Sequence, residues 1–266
     1  MRDKVVVITG ASSGIGAALA QEVGRRGGRP VLAARRAPEL EAAARRSGDG
    51  ALAVVADVTR RADVARIRDA ALERHGQIDV WVSNAGRGMS RPVAELTDED
   101  LDEMMLVNVK SALYGVQAVL PHFRERGAGH IINVSSMLGR VPFVGVRAAY
   151  SAAKHALNSL TANLRVDLAA QHPGIHVTLV LPGVVATDFG NNAAYGGLDS
   201  RAIPMAQPVE EVAAVIADAI ETPRAEVYTR PAYQQQVAAY FAAEDVAALE
   251  SRPPFAPAGG PPGSRR

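Results

Sequence analysis

The sequence predicts an α/β fold built on a parallel, doubly wound sheet, and three observations carry that prediction. Short β-branched runs alternate along the chain with stretches of helical periodicity. The first run, Val5 to Ile8, leads into a glycine-rich turn that opens directly onto a helix. No stretch approaches the roughly 18 consecutive apolar residues of a membrane span. The apolar 48% of these 266 residues is therefore expected to gather into a core.

Composition narrows the classes further. The formal net charge is +1 and the basic residues are scattered apart from short patches such as Arg35-Arg36, so no field is built to hold nucleic acid. There is no cysteine, which removes a disulfide framework and a thiolate metal site, and no His/Asp/Glu cluster suggests a metal. The opening residues Met1-Arg2-Asp3-Lys4 and the short apolar run after them do not read as a signal peptide. A cytoplasmic protein is the expectation.

Taken in order, the turn after the first strand reads Thr9-Gly10-Ala11-Ser12-Ser13-Gly14-Ile15-Gly16, with a helical pattern from Ala17 to Arg26. Glycine lets a backbone approach a pyrophosphate, and free N–H groups at a helix N-terminus meet its charge. A second strand over Pro30 to Ala34 is followed by a helix from about Pro38 and a third strand that ends at Asp57-Val58. Where an NAD site places an acid after the second strand, this chain has Ala34 and then Arg35. An arginine there can accept a 2′-phosphate, so NADP(H) is expected rather than NAD(H). A helix from about Arg60 leads to a fourth strand, which runs into Asn84-Ala85-Gly86. Thr97 caps a long helix reaching about Arg126, with Asn108 inside its apolar face. The fifth strand, Gly129 to Val134, ends in Ser135-Ser136, and a Gly/Pro loop leads to a helix from about Ala148 to Gln171. The sixth strand closes at Pro182-Gly183, and residues 184–207 read as a functional loop with short helical pieces. A helix over Val209 to Ile220, a short last strand and one further helix carrying Val237, Tyr240, Phe241, Val246 and Leu249 complete a single domain over 1–250. The tail at 251–266, rich in Pro, Gly and Arg, is expected to be disordered.

The chemistry centres on Tyr150-Ser151-Ala152-Ala153-Lys154. Side chains four apart share a helix face, so phenol and ammonium can point into one space. At about 5 Å and an effective dielectric of about 20 the charge favours the phenolate by about 3 kcal/mol. That is roughly two pKa units, which would bring Tyr150 towards a working pH.

Four motifs now stand in order: T-G-A-S-S-G-I-G at 9–16, N-A-G at 84–86, S-S at 135–136 with Y-S-A-A-K at 150–154, and P-G at 182–183. Together they resemble the single-domain short-chain dehydrogenases/reductases over about residues 3–230. The resemblance implies a Rossmann-type sheet of seven parallel strands with three helices on each face. By position it makes Tyr150 the acid-base group and Lys154 the residue that lowers its pKa and holds the nicotinamide ribose. Ser136 would bond the substrate oxygen, and Asn108 would anchor a water chain behind Lys154. Gly10, Ser12, Ser13, Gly14, Ile15 and Gly16 would cradle the pyrophosphate, with Arg35 at the 2′-phosphate. Asp57 and Val58 would edge the adenine, Asn84, Ala85 and Gly86 would lie by the ribose, and Pro182, Gly183, Val185 and Thr187 would meet the nicotinamide. Ser136 stands fourteen positions before Tyr150, where thirteen is commoner, and the 137–147 loop can absorb the extra residue.

The implied reaction is hydride transfer between NADP(H) and a carbonyl or secondary alcohol. A catalytically idle NADP-binding regulator is the competing class, but such proteins typically lose the Tyr or the Lys, and both are present. A lyase or epimerase on the same fold is a third. Met89, Leu138, Phe143, Val144, Phe189, Tyr195 and Met205 suggest a mostly apolar, medium-sized substrate. Arg140 and Arg147 read as solvated charges, with an acid group on the substrate as the alternative. The long helices resemble those packed across two-fold axes in the family, so a homodimer or homotetramer is expected.

Overall fold

The computed structural model describes residues 1–142 and 144–252. Phe143 and the tail beyond Arg252 lie outside the described residues, as do the expectations placed on them. Seven parallel strands form one sheet in the order β3-β2-β1-β4-β5-β6-β7. They are β1 (Val5–Thr9), β2 (Arg29–Ala34), β3 (Leu52–Val55), β4 (Val80–Ser83), β5 (Gly129–Val134), β6 (Ile175–Leu181) and β7 (Glu226–Tyr228). The order reverses between β1 and β4. Both strands therefore deliver their C-terminal ends to one crevice, where open α/β sheets bind ligands.

The near-continuous apolar strands follow from burial on both faces. In β1, Val6 and Ile8 enter one core while Val5 and Val7 enter the other. The first core is closed by α1 (Gly14–Arg25), α2 (Ala37–Arg46) and α7 (Val209–Glu221), through Leu19, Leu40 and Ile216. The second is closed by α3 (Arg61–His75), α5 (Ser111–Arg126) and α6 (Ala148–Ala169), through Ile67, Phe123 and Leu168, while α4 (Asp98–Met105) leads into α5 and puts Met104 in the cluster around Tyr150. That places three helical segments on each face.

Three local differences from the sequence expectation have physical causes. Helix α1 begins at Gly14, three residues before the expected Ala17, because the glycine turn itself supplies the first helical turn. The long helix is not uniform. Thr97 and Asp100 make a reciprocal capping box, but residues 106–110 open into a wide turn in which Ser111 N–H reaches back five residues to Leu106. Asn108 sits inside that turn, and such bulges often mark functional positions. The C-terminal helix is broken into α8 (Pro231–Phe241) and α9 (Val246–Glu250), because Asp245 turns out of the helix and caps the second piece. Val237 packs α8 against Met137 and Val141, and the Tyr233 ring lies over Gly183, so this helix braces the loops after β5 and β6.

Candidate active site

The glycine turn is held from below by a threonine. Thr9 Oγ1 donates to Val82 O and accepts from Asn84 N–H at 3.0 Å and Ala85 N–H at 3.2 Å, tying the end of β1 to the end of β4. Asn84 Nδ2 returns a bond to Thr9 O at 2.9 Å. In the sequence Thr9 is visible only as the first residue of the turn; its bridging role has no local signal, since β1 and β4 are distant in the chain. Gly10 has φ +67°, and a side chain there would meet the Ala85 backbone at 2.7 Å. On Gly16 it would strike Gly10 O at 2.5 Å. Helix α1 has no acid in its first turn and no side-chain cap, so its leading N–H groups stay open to an anion. Ser12, Ser13, Gly14 and Thr187 line one side of a cavity of about 500 Å³ that continues between α1 and α7. These features fit a dinucleotide pyrophosphate.

Arg35 leaves β2 exposed to solvent. Its neighbour Arg36, not assigned a role by the sequence, reaches across instead: Nη2 donates to Ser13 Oγ at 2.8 Å and Ser12 Oγ at 3.1 Å. Asp57 accepts from Thr59 N–H and Oγ1, and Val58 is packed against the second core. Val185 pairs with Gln207 across the loop after β6, and Thr187 lies over Gly14.

Tyr150, Lys154 and Ser136 meet at the end of β5 beneath α6. All three are buried, and Lys154 Nζ lies 5.6 Å from the Tyr150 ring centroid while donating to Val134 O at 2.9 Å. The two serines of the pair separate by function. Ser135 Oγ is turned into the helix, donating to Asn158 Oδ1 at 2.5 Å, whereas the Ser136 hydroxyl stands beside the Tyr150 phenol and lowers its pKa. A short turn over Met137–Gly139, started by Leu138 N–H on Ser136 Oγ at 3.1 Å, follows the serine pair. Asn108 Oδ1 accepts from Arg87 N–H, and its Nδ2 donates to Arg87 O and Met104 O. Gly86 lies between Asn108 and Lys154: a Cβ there would stand 2.8 Å from Asn108 Oδ1 and 3.7 Å from Lys154 Nζ.

Other polar contributors were missed, although a signal existed. Ser151, Lys154, Asn158 and Thr161 recur at three- and four-residue intervals, so they form one polar stripe on α6. Ser151 Oγ donates to Leu138 O at 2.6 Å, and Asn158 Nδ2 to Gly139 O at 2.7 Å, which secures the loop carrying Ser136.

The electrostatics correct one expectation. Burial pushes the Tyr150 phenol up to about 12, opposed by its bond with Ser136 and by the charge of Arg147. Burial also pulls Lys154 down to about 8. The expectation that the charge of Lys154 lowers the Tyr150 pKa by roughly two units rested on an effective dielectric of about 20 and carried no cost of burial. With both groups buried, desolvation opposes charge on each and outweighs their attraction.

Met89, Leu138 and Phe189 close an apolar cluster around Tyr150, with the Phe189 ring 5.4 Å from the Tyr150 ring. Val144, Tyr195 and Met205, expected in the pocket, are exposed instead. The Tyr195 hydroxyl is drawn outward to Asp100, which Arg91 also binds at 2.8 Å.

Residues 4–195 match the sequence model described as short chain dehydrogenase. The chain belongs to the short-chain dehydrogenase family. It is 35% identical over 235 residues to the "Uncharacterized oxidoreductase YxnA" of Bacillus subtilis, across 86% of this chain and 65% of that protein. It is 33% identical to the "Uncharacterized oxidoreductase Lmo0432" of Listeria monocytogenes, across 84% of this chain and 92% of the relative. Among solved structures, a short-chain dehydrogenase/reductase from Burkholderia phymatum in complex with NAD superposes with a TM-score of 0.84 at 28% identity, covering 97% and 98% of the two chains. An alcohol dehydrogenase from Thermococcus sibiricus complexed with 5-hydroxy-NADP gives 0.75 at 28% identity, covering 88% and 98%. Membership makes this short-chain dehydrogenase a nicotinamide-dependent oxidoreductase by class. Among the described residues no helix is long and apolar enough to cross a membrane.

Proposed function

We propose that this dehydrogenase reduces a carbonyl compound to the corresponding alcohol with NADP(H), Tyr150 acting as the acid and, in reverse, as the base. The observation that carries this reading is the convergence of Tyr150, Ser136 and Lys154 in one buried site at the mouth of the sheet. Gly10, Ser12, Ser13, Gly14, Ile15 and Gly16 would hold the pyrophosphate, and Asp57 and Val58 the adenine. Asn84, Ala85 and Gly86 would line the ribose, with Pro182, Gly183, Val185 and Thr187 at the nicotinamide, which supplies the hydride when bound. Ser136 Oγ–H donates to the substrate oxygen and strengthens its bond as charge grows there. Tyr150 then gives its phenol proton to the same oxygen. Held up near 12, the phenol carries that proton throughout the neutral range, which is the form that acts as the acid in reduction. Lys154 holds the ribose and a positive charge beside the phenol, and Asn108 steadies the groups behind it. Consumption of NADPH, followed by its absorbance against a carbonyl panel, tests the reading; no turnover with any carbonyl would refute it.

The phosphate-bearing cofactor is preferred because two guanidinium groups, and no acid, follow β2, and one already bridges the serines of the turn. Arg35→Ala and Arg36→Ala are expected to raise KM for NADPH by at least about 10-fold with little change for NADH, since a charge-assisted contact is lost with only one of them. Equal weakening of both cofactors would overturn the preference.

We also propose assembly as a homodimer or homotetramer. Leu160 and Val166 on α6 are 45% and 74% exposed, apolar positions on a long helix that a second copy could cover. Light scattering at micromolar concentration checks this, and a monomer would contradict it.

A further inference from the structure

We infer that Arg147 is an anion-binding residue of the catalytic pocket, and that the compound reduced carries a carboxylate a few bonds from its carbonyl; this rests on the reductase reading above. Two arginines lie in the segment before α6, and the structure separates them. Arg140 pairs with Glu226. The Arg147 guanidinium meets no carboxylate among the described residues, and its Nη1 is buried without a hydrogen-bond partner. Other arginines of the surrounding loops are matched: Arg91 with Asp100, Arg87 with Glu103, Arg201 with Asp188 and Asp199.

The unmatched group faces the chemistry. A Cβ built on Gly88 would stand 2.6 Å from Arg147 Nη1 and 2.9 Å from the edge of the Phe189 ring. That ring is the one packed on Tyr150. On the other side, a Cβ on Gly197 would stand 2.6 Å from Nη2. Glycines at 88 and 197 thus leave the room that the guanidinium occupies. Its position is fixed by backbone on both flanks: Arg91 N–H donates to Val146 O at 2.7 Å, Ala194 N–H to Gly88 O at 2.9 Å, and Ser90 N–H to Ala194 O at 2.9 Å. Arg147 also stands at the N-terminus of α6, whose first turn holds no acid, so the helix end adds to the positive potential.

A guanidinium does not give up its proton, so burial cannot be relieved by neutralisation. The group is half-buried, and the Nη1 arm that is shut off from water without a partner is the one an anion would satisfy. A carboxylate matches the planar fork of donors, and the nearby reacting centre lets the same contact position the carbonyl against Tyr150.

The test compares 2- and 3-oxo acids with their ethyl esters, using NADPH and the whole protein. The wild type is expected to favour each acid over its ester by at least about 10-fold in kcat/KM, the scale of hydrogen bonds to a charged group. Arg147→Gln should erase that preference, chiefly through KM for the acids, and Arg147→Lys should restore part of it. Independently of turnover, oxamate should raise the melting temperature of the wild type and not of Arg147→Gln, whereas neutral oxamide should shift neither. Equal use of acids and esters by the wild type would overturn the inference and leave the reductase reading standing, and this arm needs no variant to fold. An even loss on acids and esters in Arg147→Gln would also overturn it, because that is the mark of a charge acting only on Tyr150. Failure of every carbonyl, charged or neutral, would instead bring down the reductase reading itself.

Discussion

Tyr150→Phe is expected to lower kcat for carbonyl reduction by at least about 10²-fold while cofactor binding survives. Phenylalanine keeps the ring that packs with Phe189 and Met89 in the apolar cluster, so the fold around it is preserved. What disappears is the hydroxyl that stands beside Ser136 and can deliver a proton to the substrate oxygen. Cofactor affinity should hold because the glycine turn lies on β1 and α1, away from the phenol. Steady-state kinetics and cofactor titration of the variant check both halves. Turnover within a few fold of the wild type would mean that another group supplies the proton.

Lys154→Met should damage activity as severely and also raise KM for NADPH, but its most discriminating effect is on stability. Lys154 is buried with Val134 O as its hydrogen-bond partner, and its pKa falls from 10.5 to about 8. Keeping the cation inside at pH 7 therefore costs about 3 kcal/mol relative to the unfolded chain. The sign follows from proton counts. Between about pH 8 and 10.5 the unfolded lysine holds a proton that the folded one has released, so stability contributed at this site rises with pH across that window. Urea unfolding of wild type and variant at several pH values should show the wild type gaining on Lys154→Met from pH 8 upward. A constant difference would show that the buried ammonium carries no such cost. Reduction by the wild type should decline through the same range as the charge beside Tyr150 is lost.

Much of this was written locally. The alternation of β-branched runs with helical periods led to the parallel sheet, because a strand buried on both faces must be apolar throughout. The spacing of Gly10, Gly14 and Gly16 marked the turn, since only a residue without Cβ fits where β1 passes Ala85 and Gly10 O faces Gly16. The four-residue interval from Tyr150 to Lys154 placed both on one helix face, a property of helix geometry alone. What stayed hidden depends on partners far away in the chain. Nothing local distinguishes Arg35, which leaves the sheet into solvent, from Arg36, which reaches the serines of a turn more than twenty residues earlier. Nor does it distinguish Arg140, matched by Glu226 on the last strand, from Arg147, matched by nothing among the described residues.

By itself, then, the sequence determined which residues share a face, where the chain turns and which chemistry those side chains can perform. Only the tertiary structure decided the state in which they perform it. Tyr150 and Lys154 illustrate the division: their separation follows from the helix, but the direction of both pKa shifts comes from burial beneath α6 and the covering loops. The reason is that helix spacing is a property of consecutive residues, whereas desolvation depends on every segment that folds over them and keeps water out.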